Sequence, residues 1–217
     1  MSDFAQTART RMRHCAHKAS YDRATIHQVI DDIPECTIAL CDQETGLPRQ
    51  MVSTHWRVGD ALYLHGSNGS GFCKQLAAGT PVSVSIAATD GLVLARSAFD
   101  TSINFRSVTI YGKFEAVRSR DEQLALLEAF YEKLVPGRWH EVRAPTPQEM
   151  AATFVLRLPL QEVVAKLSVG EPDDQAEAPG EWGGVRVYRH GWGEVVADSA
   201  SREMPLPPSI ARLLERE

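Results

Sequence analysis

Nowhere in the 217 residues does an apolar run reach the roughly 20 residues that a membrane-spanning helix requires, so no membrane association is expected. The stretch 1–14 has arginines but no apolar core behind them, which argues against a secretory leader and leaves a soluble, cytoplasmic protein as the expectation. An excess of positive charge is missing as well. The formal net charge is −5, and Arg9, Arg11, Arg13 and Lys18 form only a short terminal cluster, so nucleic acid is not an expected partner. Cysteine is scarce, and Cys15, Cys36, Cys41 and Cys73 lack paired zinc-type spacing. Cys36 and Cys41 lie five apart on one predicted strand, so they point to opposite faces and cannot bridge. Reduced thiols follow. His14 and His17 would need two further ligands to hold a metal, and no metal site is expected.

What is present is a series of short alternating segments broken by turns and a few helical stretches. Ile26, Val29 and Ile30 lie at helical spacing behind Ser20 or Asp22 as cap, and Pro34 marks the stop. Cys36–Cys41, Met51–Val58 and Ala61–His65 read as three strands joined by short turns, an antiparallel meander. A Gly/Ser-rich turn then opens a short helix around Phe72, Leu76 and Ala77, ended by Gly79 and Pro81. Strands follow at Val82–Ala87, at Leu92–Ala98 after a predicted Asp90-Gly91 hairpin, and at Asn104–Val117, where Gly112 suggests a bulge or a tight bend. From Asp121 the period turns helical, with Leu124, Leu127, Phe130, Tyr131 and Leu134 on one face. Thr146-Pro147-Gln148-Glu149 opens another helix, and Thr153–Leu158 and Glu162–Leu167 close the strand series. Residues 20–170 thus read as one mainly β domain with peripheral α-helices, an antiparallel barrel. Residues 171–217 read as an acidic linker and a tail expected to pack on the barrel through Trp182, Tyr188 and Trp192.

Two segments carry residues suited to chemistry. In the first, His65-Gly66-Ser67-Asn68-Gly69-Ser70 leads into a helix bearing Lys74, where small residues, hydroxyls and an ammonium suit an anion. Gly/Ser turns before helices are also common as plain structure. In the second, Arg96 and Arg106, with hydroxyls near strand ends, can grip a phosphate or carboxylate or serve as surface ion pairs. His65 and His55 are the candidate catalytic side chains, each equally readable as a hydrogen-bonded barrel histidine. Trp56 and Tyr63 suit ring stacking or core packing.

Taken with Tyr21-Asp22-Arg23, Leu134-Val-Pro-Gly-Arg-Trp139 and Ala165-Lys166, these segments resemble the pyridoxamine 5′-phosphate oxidase-like superfamily. The resemblance runs from about residue 20 to 166, weakly through Trp182-Gly183-Gly184-Val185, and is strongest to flavin-nucleotide-binding split-barrel proteins related to nitroimidazole-resistance reductases. It implies a six-stranded antiparallel split β-barrel that forms a homodimer with FMN at the subunit interface, acting as an oxidoreductase on a small molecule. Carried over, His65, Gly66, Ser67 and Ser70 would lie along the ribityl chain and phosphate, and Lys74 matches a basic position. Asn104, Arg106 and Ser107 match the segment that approaches the cofactor, supplied by the partner subunit. The chain departs from the pattern at Gly71 and Ser168, where relatives commonly carry a basic residue. The resemblance also implies alternatives. One is haem, with Arg96 and Arg106 on its propionates and His65, His55 or the His14/His17 pair as axial ligand; another is a non-enzymatic flavin or small-molecule binder.

Overall fold

The computed structural model describes residues 3–174 and 180–215, so part of the acidic segment, 175–179, lies outside the described residues. In chain order the elements are β1 (Ala19–Ser20), α1 (Arg23–Asp32), β2 (Glu35–Cys41), β3 (Pro48–Thr54), β4 (Trp56–Val58), β5 (Ala61–Ser67), α2 (Gly71–Ala77) and β6 (Pro81–Leu94). They continue with β7 (Ser102–Lys113), β8 (Glu115–Ala116), α3 (Arg120–Leu134), α4 (Pro147–Ala151), β9 (Thr153–Pro159), β10 (Glu162–Ser168), β11 (Gly184–Val187) and α5 (Pro208–Leu214). The strands form two antiparallel sheets. One is seven-stranded in the order β1-β10-β7-β6-β2-β3, with β11 added to β6; the other is four-stranded, β4-β5-β9-β8. Among the described residues no helix is long and apolar enough to cross a membrane.

Alternation builds the interior. Cys36, Ile38 and Leu40 of β2, Val82, Val84 and Ile86 of β6 and Leu62 and Leu64 of β5 point into one core, closed by the Ile26, Val29 and Ile30 face of α1. Of the two candidates Ser20 and Asp22, Asp22 caps α1, its carboxylate accepting from the Thr25 N–H at 2.7 Å. Thr146 and Glu149 form a reciprocal capping box on α4, with Pro147 at its first turn. Gly112 faces the opposite sheet, where an added Cβ would meet Leu158 Cδ1 at 2.8 Å; the glycine allows the sheets to close.

Four sequence readings are corrected. The meander is divided at His55: β2 pairs with β3 in the larger sheet, β4 with β5 in the smaller, and the chain changes sheets between them. Asp90-Gly91 makes no hairpin. β6 runs through it with a register shift between Thr89 and Gly91, and the chain reverses at residues 95–101 instead. The reason is non-local. β2 covers the edge of β6 only over Val82–Ser85, and β11 pairs with the free remainder of that edge, Gly91–Leu94. A Cβ on Gly91 would sit 2.9 Å from the Arg186 carbonyl oxygen, so the glycine admits β11. On α3, Leu126 is the buried residue, with Ala129 and Phe130 packed beside it, while Leu134 is exposed; the helix is rotated from the predicted face so that Leu127 and Tyr131 line a cavity. In the tail, Trp182, Tyr188 and Trp192 are 58–82% exposed, and the contacts that tie it to the rest of the chain include the β11 ladder and Ser209 of α5 on Glu141.

Candidate functional site

The strand β5 divides its side chains between two environments. Leu62 and Leu64 enter the barrel core, while Tyr63 and His65 face α3 on the outer side of the smaller sheet. There the His65 ring lies 5.0 Å from Phe130 and 5.9 Å from Trp56, centroid to centroid. It stands on the wall of a cavity of about 430 Å3, with Tyr131, Trp139, Arg143 and Met150 around it. Burial holds the imidazole below its ordinary pKa, so it is neutral at pH 7. Its Nδ1 is buried without a partner among the described residues. A neutral, half-buried imidazole with an unused ring nitrogen is a competent metal-ion or haem-iron ligand. At the rim Arg143 makes a two-pronged ion pair with Glu149 at 2.6 and 2.8 Å.

Immediately after His65 the turn is shaped by close packing. Gly66 faces Cys73 of α2, and a Cβ there would lie 2.6 Å from Cys73 Sγ. Gly66→Ala is therefore expected to destabilise the protein by about 1–3 kcal/mol in a urea melt, with Cys73→Ala in the same chain recovering most of the loss. Full stability of the single variant would contradict the packing argument. The Ser67 hydroxyl accepts from the Gly69 N–H at 3.1 Å, and Ser70 caps α2 by accepting from the Cys73 N–H at 3.3 Å. Both hydroxyls therefore keep an O–H to donate outward. Lys74 is exposed, and Gly71 has open space beside it.

Asn104, Arg106 and Ser107 sit on β7 in the other sheet. The Asn104 amide donates to the Gly170 carbonyl at 2.9 Å, and the Ser107 hydroxyl donates to the Lys166 carbonyl at 3.3 Å. Arg106 is ion-paired with Asp90, and its Nε is buried without a partner among the described residues. It lines a separate cavity of about 480 Å3. The structure thus gathers His65, Gly66, Ser67, Ser70 and Lys74 into one turn and Asn104, Arg106 and Ser107 onto one strand. Within a single chain His65 of the first group and Arg106 of the second line different cavities. Arg96 is bound to Asp174 at 3.2 Å and to the Glu181 carbonyl at 3.0 Å, so it acts as a clasp for the linker. His55 is fully buried, with Nε2 donating to the Ile30 carbonyl at 2.9 Å. Burial lowers its pKa to about 4 and removes it from reach of any substrate. Trp56 and Tyr63 are likewise core residues.

Two features escaped the sequence reading. The cavity around His65 is completed by Phe130, Trp139 and Met150 from later elements; Trp139 lies within a motif already singled out, but its neighbours have no local signature. At Ser168, where the family resemblance led to the expectation of a basic residue, the Lys18 ammonium donates to the serine hydroxyl at 3.0 Å, so a positive charge from the N-terminal segment lies beside that strand position.

Residues 22–167 match the family model described as pyridoxamine 5′-phosphate oxidase. No curated protein matches the chain. Among solved structures, the FAD and heme binding protein from Mycobacterium smegmatis is 38% identical, with a TM-score of 0.82 over 90% of this chain and 96% of that one. The flavocytochrome Anf3 from Azotobacter vinelandii is 29% identical, with a TM-score of 0.88 over 96% of this chain and 98% of its own. A putative 5-nitroimidazole antibiotic resistance protein from Bacteroides thetaiotaomicron, 19% identical with a TM-score of 0.58 over 68% of this chain and 85% of its own, shares the fold. The barrel order, the turn after β5 and a match spanning α1 to β10 agree, and the chain belongs to the pyridoxamine 5′-phosphate oxidase family.

Proposed function

We propose that this protein is a cytoplasmic, homodimeric redox protein that binds both a flavin nucleotide and a haem and passes electrons to a small molecule. The observation that carries the haem half is His65: a neutral imidazole at the wall of an aromatic cavity, wedged between Trp56 and Phe130, whose Nδ1 is buried without a partner among the described residues. Two solved relatives that span at least nine-tenths of this chain are an FAD and heme binding protein and a flavocytochrome, which supports pairing the two groups here. Haem was the alternative to FMN in the sequence reading, and the His65 cavity supports it.

The flavin half rests on family membership and on the chemistry left open at two places. Ser67, Ser70 and Lys74 offer donors on one subunit, and the buried Nε of Arg106 lacks an acceptor among the described residues. Assembly of the turn of one subunit with Asn104–Ser107 of a second copy gathers these donors around a phosphate. Phe99, Ile103 and Val169, 95%, 42% and 84% exposed near that strand end, supply apolar surface for such an assembly. When bound, the flavin supplies hydride and single-electron chemistry and the haem single-electron chemistry. The chain's own part is to bind, orient and shield them.

The test is the absorption spectrum of the purified full chain, with flavin and haemin added where needed, alongside its mass in solution. Flavin bands together with a Soret band on a dimer are expected. His65→Ala is expected to lose or shift the Soret band while the flavin bands persist. A wild-type protein that takes up neither group sinks the reading, and an unchanged Soret band in His65→Ala removes His65 from the haem.

A further inference from the structure

The tail that docks on β6 leaves an unusual grouping at the surface. β11 and the residues after it form one wall of two cavities, of about 700 and 480 Å3, that share Ala87, Ala88, Tyr188, Arg189 and His190. Both volumes fall in the range of small-molecule sites. The smaller cavity also contains Arg106, which ties this wall to the flavin reading above. The larger is lined by Arg186, Arg189 and His190 with no carboxylate. Arg186 and Arg189 are exposed and have no ion-pair partner among the described residues. Interleaved with them, Tyr188 and Trp192 are 58% and 82% exposed.

The grouping is held in place by the backbone. Four residues of β11 are in register with Gly91–Leu94, the Tyr188 N–H donates to the Asp90 carbonyl at 2.9 Å, and His190 Nε2 donates to the Thr89 carbonyl at 2.8 Å. His190 in turn packs edge-on against the Tyr188 ring at 4.7 Å. Two guanidinium groups free to grip phosphate oxygens, beside aromatic faces free to stack, match a nucleotide diphosphate with its base. FMN has one phosphate and no second base. Asp32 and Glu35, in the smaller cavity, offer carboxylate acceptors for sugar hydroxyls.

We infer that the Arg186–Trp192 segment binds the adenosine diphosphate half of a flavin dinucleotide and makes this site select FAD over FMN. The inference rests on the flavin reading above and names which flavin and which residues. The test is a fluorescence titration of flavin-free full-length protein with FAD, FMN and ADP, each alone. FAD is expected to bind at least about tenfold more tightly than FMN, and ADP to bind and to compete with FAD. R186A/R189A is expected to weaken FAD about ten- to a hundredfold, leave FMN unchanged and abolish ADP binding. Its thermal melt should match wild type, because both side chains are exposed and unpaired. Gly91→Val is a second route, since its side chain displaces β11 while both arginines remain; it is expected to erase the same FAD preference. Equal affinity for FAD and FMN in wild type, or equal losses of both in R186A/R189A, overturns the inference and leaves the flavin reading standing. A protein that binds neither flavin overturns both.

Discussion

Replacing Trp56 by alanine is expected to cost the fold about 3–5 kcal/mol, the range for emptying a large aromatic side chain from a packed interior. Trp56 is 1% exposed and heads the fully buried side chains by volume. It stacks on Tyr63 at 5.9 Å with the rings 22° apart, and meets Phe130 at 5.0 Å. The neighbours come from β5 and α3, two elements that cannot both move inward without breaking the β4–β5 ladder, so the void persists. Its indole Nε1 is buried without a partner among the described residues. Trp56→Phe deletes that unsatisfied donor and keeps most of the volume, so it is expected to cost well under half as much. Urea melts of the three proteins measure this; a loss below about 1 kcal/mol for Trp56→Ala would mean that the site collapses or fills with water. The same variant removes one of the two rings that hold His65, so, on the proposed haem reading, any Soret band should broaden or shift where that of Trp56→Phe does not.

That dependence of His65 on its neighbours explains what could be read from the sequence. Features governed by a few consecutive residues were legible: a cap at Asp22, the Thr146–Glu149 start of α4 and the alternation of β2 and β6. So was the turn from His65 to Lys74, because its glycines and serines act on their immediate surroundings. Asp90-Gly91 was misread because the chemistry that favours a tight turn also favours a bulge. The deciding partner, Val187, lies nearly a hundred residues downstream. The choice at His55 between a catalytic and a hydrogen-bonded barrel histidine stayed open for a related reason. In sequence it is a polar member of an alternating strand; in space it sits where the chain leaves one sheet for the other and is covered by α1 and α3.

The candidate site has the same division. Sequence spacing found His65 but not the cavity, whose other walls come from α3, the segment 139–145 and α4. The Trp182-Gly183-Gly184-Val185 motif had no evident role until the docking of β11 was seen. A Cβ on Gly183 would meet the Arg96 guanidinium at 2.7 Å, so this glycine lets the Arg96 clasp close over the linker. The motif therefore leads into and opens β11, the strand that brings Arg186 and Arg189 to the barrel. Their basic and aromatic interleaving, Arg-Val-Tyr-Arg-His, was the available signal, and it acquires meaning only beside a cavity.

Acid is expected to weaken the protein through the same corner. The His55 imidazole titrates near pH 4 in the folded chain, against an ordinary value of about 6.5. Burial is the largest cause and the nearby Lys133 ammonium adds to it, while the hydrogen bond to the Ile30 carbonyl and the Asp31 carboxylate pull the other way. Lys133 is fixed there by its own bonds to the Ile30 and His55 carbonyls at 3.2 and 3.3 Å, so it cannot withdraw. The folded pKa is depressed, so the unfolded chain binds this proton first as pH falls. Stability from His55 is complete above about pH 6.5, declines by about 1.4 kcal/mol per pH unit below it, and levels off near pH 4 after a loss of about 3 kcal/mol. His65 and His27, also lowered by burial, act with the same sign, so the wild-type slope is a sum. His55→Gln isolates one contribution: its amide keeps a donor for the Ile30 carbonyl and cannot titrate. Urea melts between pH 4 and 7 should show the variant losing about 3 kcal/mol less than wild type across the window. Parallel stability profiles for the two proteins would mean that His55 takes up its proton within the fold, and that the sheet-switching corner opens to water.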